Sequence, residues 1–203
     1  MRSLIPWIAG VLIAAVLVLS NDLFLFESII VTSSSMEPTL LPNERIFLQK
    51  MFFYPLRRFD VVVIRSSKFD HRIVKRIVAM PGECVSLEEG WKVRVQSSQS
   101  FGYEDSVLVK NFKIEKVNEL KHLFQLRINP DIHYDTVYGG KEPYCLKPDE
   151  YFVLGDNRLA SGDSRFYGPF LKSEIVGRLT RIWYSYDKKQ THIRDERLGL
   201  SVR

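Results

Sequence analysis

Hydrophobic residues follow two rhythms along this chain. The first is continuous: residues 4–19 (LIPWIAGVLIAAVLVL) are apolar and uncharged. As a helix they span about 24 Å, a little under the roughly 30 Å of a hydrocarbon core. Ser3, Ser20 and the apolar residues 23–26 extend the run. A retained membrane anchor and a cleaved export signal both begin this way. The residues after the run, SNDLFLF, lack the A-x-A spacing of a cleavage site, which favours a single retained transmembrane helix over residues 1–21.

Beyond the anchor the period falls to two, as strands require. Residues 23–31 (LFLFESIIV) are rich in strand formers, and residues 44–50 (ERIFLQK) alternate Ile46 and Leu48 against polar neighbours. Residues 60–65 (DVVVIR) are apolar on both faces and predict a central strand. Residues 72–80 (RIVKRIVAM) predict its hairpin partner, ended by Pro81-Gly82. There Ile73, Lys75, Ile77 and Ala79 share one face, and Val74, Arg76 and Val78 the other. Residues 84–148 are less regular, with short alternating runs at 91–95 and 123–128, and read as a β-rich insertion. Residues 151–154 (YFVL) form a further strand. Residues 174–184 (EIVGRLTRIWY) read as a closing strand broken at Gly177, and a polar, basic tail follows from Asp187. The pattern is mostly β: an anchor (1–21), a first core segment (22–83), the insertion (84–148) and a second core segment (149–203).

One stretch fits neither rhythm. Residues 32–42 (TSSSMEPTLLP) place three serines before a methionine and two prolines. Ser and Pro in this density make a loop, and a linker would look the same. A serine becomes a nucleophile only beside a base. The histidines, His71, His122, His133 and His192, lie in loops or polar segments, and none is singled out for a triad. Lys75 is different, because lysine seldom sits unpaired on an apolar strand face. It either snorkels to the surface or is buried, and burial lowers its pKa far enough to make a base.

Charge and cysteine content narrow the function class. The 203 residues carry a net charge of +5, with 26% charged and 12% aromatic residues. The charge is spread rather than concentrated in a run, so a nucleic-acid partner is not expected. Two cysteines, Cys84 and Cys145, form no CxxC pair. No metal site is expected from them, and a disulfide is open to them only outside the cytoplasm. Arg2 before the anchor and Asp22 and Glu27 after it place the N-terminus in the cytoplasm and the β-region outside. Residues 50–59 (KMFFYPLRRF) read either as core packing with a turn at Pro55 or as an interfacial patch on phospholipid.

Four blocks occur in order: Ser33-Ser34-Ser35-Met36-Glu37-Pro38-Thr39-Leu40; Phe59-Asp60-Val61-Val62-Val63; Lys75-Arg76-Ile77-Val78-Ala79-Met80-Pro81-Gly82-Glu83; and Gly155-Asp156-Asn157-Arg158 with Ser161, Asp163, Ser164 and Arg165. Together they resemble bacterial type I signal peptidase (leader peptidase), from the anchor through about residue 200. The resemblance implies a coiled β-sheet catalytic core of the kind shared with LexA-type proteins. It also implies a Ser/Lys dyad, with Ser35 as nucleophile and Lys75 as general base. Ser33 and the Ser35 N–H would form the oxyanion hole, and Ser161 would orient the lysine. Arg76 with Asp156, and Asp163 with Arg165, would be supporting ion pairs. Preprotein signal peptides would be cut after small residues at −1 and −3, lying extended along a strand edge. Ile29, Val31, Leu40 and Ile73 are the candidate pocket lining. No cofactor or metal is implied, the bacterial inner membrane is the implied location, and the sequence sets no oligomeric state. The chain departs from the family in having Ser34 where glycine is frequent and Thr32 where proline is common.

Three rivals share parts of this pattern. A LexA-type self-cleaving repressor requires a helix-turn-helix where this chain has an apolar segment. A mitochondrial inner-membrane peptidase shares the chemistry in another compartment. A non-enzymatic anchored β-domain leaves Ser33, Ser35, Lys75 and Ser161 unaccounted for together.

Overall fold

The computed structural model describes residues 7, 10–12, 26–50, 55–88, 92–97, 107–109, 138–140 and 142–202. The expected anchor lies almost wholly outside these residues, as does the expected strand at 123–128. No helix among the described residues is long and apolar enough to cross a membrane.

The period-two segments form an antiparallel sheet. Strands β1 (Phe26–Ile30), β2 (Arg45–Gln49), β3 (Val61–Ile64) and β4 (Ile73–Ala79) come first in the chain. Strands β5 (Glu83–Glu88), β6 (Lys92–Ser97), β7 (Val107–Val109), β8 (Tyr144–Cys145), β9 (Glu150–Leu154), β10 (Phe170–Leu171) and β11 (Ile175–Tyr184) follow. The main sheet has seven strands in the order β1-β2-β11-β3-β4-β9-β10, and β7-β6-β5-β8 form a second sheet of four. Two short strands, β12 (Tyr186–Asp187) and β13 (His192–Ile193), make a terminal hairpin.

Burial follows the side-chain pattern. In β2, Ile46 and Leu48 are fully buried while Arg45 and Phe47 face solvent. β3 is buried on both faces. Val61 and Val63 pack with Met36, Leu40, Ile46 and Leu179, whereas Val62 and Ile64 pack with Ile73, Ile77, Val153 and Phe170. β3 and β4 pair antiparallel from Val61 opposite Arg76 to Ile64 opposite Ile73.

Two details correct the sequence reading. The alternation predicted for β4 holds only as far as Ile77. A bulge between Ile77 and Ala79, against Val153 and Phe152 of β9, puts one extra residue into β4. Val78 and Ala79 therefore both join a third cluster, with Val85, Val93, Val95 and Leu146. Gly177 does not end β11, which continues from Ile175 to Tyr184 with a register shift against β3 between Ile175 and Gly177. A Cβ at Gly177 would stand 2.4 Å from the Gln49 carbonyl oxygen. Glycine there admits a neighbouring strand instead of ending its own.

The third cluster joins the two sheets into one core, since Phe152 and Leu154 of the main sheet pack with Val85, Val93 and Val95 of the second. A disulfide links Cys84 on β5 to Cys145 on β8 at a cross-strand pair. Pairing of β9 with β4 begins at Arg76 opposite Leu154. No β9 residue therefore stands beside Ile73, Val74 and Lys75, and the serine loop occupies the space beyond the end of β9.

Candidate active site

The serine stretch is a loop closed at its base. The Val31 N–H donates to the Glu44 carbonyl (2.9 Å) and the Asn43 N–H to the Val31 carbonyl (2.8 Å). Within it, the Leu40 N–H reaches the Met36 carbonyl (2.9 Å) and the Glu37 N–H the Ser34 carbonyl (3.1 Å). Met36 and Leu40 are inserted into the core. Burying these two side chains fixes a loop that its composition alone would leave mobile, at roughly 1.5–3 kcal/mol per large apolar side chain.

Ser35 Oγ lies 2.9 Å from Lys75 Nζ, which also donates to the Val74 carbonyl at 2.9 Å. Lys75 is only 4% exposed, between Ile73 and Ile77 on β4. Burial pulls its ammonium down from 10.5 to about 8. Asp163 works against that shift, the Arg165 charge adds to it, and Asp156 again opposes it. Lys75 thus does not snorkel. Its amine is held on a hydroxyl, and an appreciable fraction is neutral near pH 8. Ser33 Oγ sits 3.3 Å from Ser35 Oγ.

The charged residues pair beside and beneath this contact. Arg76 grips Asp156 with two bonds, Nε to Oδ1 at 2.8 Å and Nη2 to Oδ2 at 2.6 Å, and its Nη1 donates to the Phe59 carbonyl. Arg165 grips Asp163 in the same way at 2.7 and 2.8 Å, and the Gly155 N–H donates to Asp163 Oδ2 at 3.0 Å. Burial pushes the Asp163 carboxyl upward, but the Arg165 charge and these hydrogen bonds outweigh it and hold the group below the usual carboxylate range. Each buried carboxylate thus faces a guanidinium through two hydrogen bonds, the geometry that best offsets the cost of burying the charges.

Ser161 is brought to the same place but makes no bond to Lys75 in this structure. Its Oγ is buried without a hydrogen-bond partner among the described residues. The four pocket candidates divide between two clusters. Ile29, Val31 and Leu40 pack in one and Ile73 in the other, and Leu40 has no accessible surface. A residue so placed offers no surface to a substrate. Arg58, one of the expected lipid contacts, is bonded to Glu83 and to the Val78 carbonyl. Residues 51–54 of that aromatic patch lie outside the described set. No group of three metal-ligating side chains occurs among the described residues.

Two residues at this site have no role in the sequence reading. The Asn157 N–H donates to the Ser35 carbonyl at 3.0 Å, and its Nδ2 to the Ser34 carbonyl at 3.1 Å. Gly155 lies so close that a Cβ there would stand 2.1 Å from Ser161 Oγ and 2.5 Å from the Ser35 carbonyl oxygen. The signal for both was a Gly-Asp-Asn turn directly after a buried strand.

A hydroxyl held against a buried amine whose pKa burial lowers is the arrangement that a serine nucleophile with a lysine base would require. The chain belongs to the signal peptidase family, peptidase S26, whose family model matches residues 4–184. It is a serine endopeptidase of the signal peptidase type. A relative named signal peptidase I P, from Bacillus subtilis subsp. natto, is 33% identical over 191 residues, covering 92% of each chain. A signal peptidase I from Streptococcus pneumoniae is 30% identical over 194 residues, covering 87% of this chain and 91% of the other. The crystal structure of a signal peptidase I from Enterococcus faecalis V583 is 22% identical and covers 63% of this chain and 98% of that one, with a TM-score of 0.38.

Proposed function

We propose that this protein is a membrane-anchored endopeptidase that releases exported preproteins from their signal peptides through a Ser35/Lys75 dyad. The observation that carries the reading is the 2.9 Å contact between Ser35 Oγ and the buried Lys75 amine. Neutral Lys75 accepts the Ser35 proton as Oγ attacks the scissile carbonyl carbon. The oxyanion formed is met by the Ser35 N–H and the Ser33 hydroxyl, each donor of this kind being worth about 3 kcal/mol. As the intermediate collapses, protonated Lys75 gives its proton to the leaving amine, and the signal peptide stays as an ester on Ser35. Water, deprotonated by Lys75, then hydrolyses the ester and frees Ser35.

The substrate segment lies extended along the outer edge of β1, adding main-chain hydrogen bonds to it. Residues with small side chains at −1 and −3 fit against Ile29, Val31 and Ile73, with Leu40 behind them. Residues 4–19 span the bacterial inner membrane with the N-terminus cytoplasmic. Ser35 then stands on the outer side, close to the phospholipid, where a translocated cleavage site emerges. The test is digestion of a purified preprotein by the detergent-solubilised protein. Product masses should place one cut after a small residue at −1 with another at −3. Failure to cut, or cuts scattered among other residue types, overturns the proposal.

A further inference from the structure

The nucleophile loop is held from a second side, by the end of the chain. Glu44, at the base of the loop, has no accessible surface. Its carboxylate accepts from the Leu41 N–H (2.9 Å), the Ser185 hydroxyl (2.9 Å) and both Nε and Nη2 of Arg197, the latter at 3.0 Å. Arg197 Nη2 also donates to the Thr39 carbonyl at 2.8 Å. One guanidinium therefore bridges the base of the loop and the segment four residues past Ser35. Arg194 supports the arrangement by donating to Ser185 Oγ at 3.1 Å. The tail is itself fixed to β11. The Val202 N–H donates to the Thr180 carbonyl, the Gly199 N–H to the Ile182 carbonyl, and Val202 packs in the same cluster as Met36 and Leu40.

We propose that Arg197, which lies beyond the residues 4–184 matched by the family model, is a positioning residue that sets Ser35 against Lys75 by clamping Thr39 and Glu44. It touches neither substrate nor the reacting atoms. A buried carboxylate needs a fixed cationic partner, and a planar guanidinium fork reaches both carboxylate oxygens and a carbonyl in one preorganised geometry that a compact ammonium does not reproduce. Without the fork the loop keeps its apolar anchors, Met36 and Leu40, and loses the restraint on the turn between them. A displacement of about 1 Å at a reacting atom is enough to lower turnover by up to about a hundredfold.

The inference rests on the proposed Ser35/Lys75 chemistry, and amide hydrogen exchange separates the two. In full-length Arg197→Ala, exchange at the Leu40 and Leu41 amides should rise at least about tenfold, while Ile77 and Val153 stay as in the wild type. On a preprotein that the wild type cleaves, kcat should fall about ten- to a hundredfold with KM within about twofold. Added guanidinium should restore part of kcat, and Arg197→Lys should fall between wild type and Arg197→Ala. Unchanged exchange at Leu40 and Leu41 overturns the clamp whether or not the protein cleaves anything. Raised exchange with unchanged kcat overturns the positioning role. A wild type that does not cleave overturns the proposed function, and the exchange result still decides the clamp. Exchange rising equally at Ile77 and Val153 would show a global stability effect and would also overturn the proposal.

Discussion

Lys75 Nζ and Ser35 Oγ meet at 2.9 Å although 40 residues of sequence separate them. The contact exists because β4 runs past the end of β9, leaving room at Lys75 for a loop whose Met36 and Leu40 are buried in the neighbouring cluster. Neither residue is unusual alone. Serine is common in loops, and a lysine on a strand is usually solvated. Burial of the pair lowers the lysine's pKa to about 8, the property that the proposed base requires.

Cleavage should therefore depend on pH through this amine. With burial holding the Lys75 ammonium at about 8, kcat/KM should climb about tenfold per pH unit below that value and level off above it. The neutral form is the active one, so the limb falls on the acid side. A rate flat from about pH 6 to 9 would contradict a lysine base.

Keeping that amine buried has a cost in stability. The folded state binds fewer protons than the unfolded chain between pH 8 and 10.5. Stability from this group therefore rises with pH across that window and carries its full deficit, roughly 3 kcal/mol, below it. Lys75→Met should be inactive yet about 2–3 kcal/mol more stable at pH 7, with the advantage closing as pH approaches about 10. Chemical denaturation at the two pH values measures it, and a destabilised Lys75→Met at pH 7 would contradict the argument.

Gly155→Ala tests how tightly the site is built. The added Cβ would fall 2.1 Å from Ser161 Oγ and 2.5 Å from the Ser35 carbonyl oxygen. The serine side chain can turn away, but the backbone carbonyl must move, and the nucleophile moves with it. A loss of about a hundredfold in kcat with a retained fold by circular dichroism is expected. Activity within about twofold of wild type would show that the loop tolerates the shift.

The Cys84–Cys145 disulfide joins two strands of the second sheet across 61 residues of chain. Replacing both cysteines with alanine should lower stability by about 2–4 kcal/mol. Alkylation before and after reduction, read by mass, checks the pairing directly. Two thiols that react in the native, unreduced protein would contradict it.

The strands were legible because each buries a face that its own sequence advertises. Ile46 and Leu48 mark β2, and the unbroken valines of β3 mark a strand covered on both sides. What the pattern could not carry was set by neighbours distant in sequence. The extra residue at Val78 changes which face Ala79 occupies without changing the alternation of apolar letters. Gly177 looks like a breaker until the Gln49 carbonyl is seen where its side chain would be. The cysteine pair stayed open because β5 and β8 meet only through the sheet. At the site, the motif blocks pointed to Ser35 and Lys75. The grip of Asn157 on the serine loop and of Arg197 on Glu44 arises from contacts 123 and 153 residues apart, which no local pattern encodes.

The most direct test of the account is preprotein cleavage by wild type, Ser35→Ala, Lys75→Ala and Lys75→Arg, compared at pH 8.5, chosen to lie about half a unit above the Lys75 pKa. Each variant should lose cleavage to the limit of detection. Lys75→Arg should fail despite its similar length, because a guanidinium stays charged and cannot accept the Ser35 proton. Wild-type-like cleavage by any one of the three would contradict the assignment of Ser35 and Lys75 as the reacting pair.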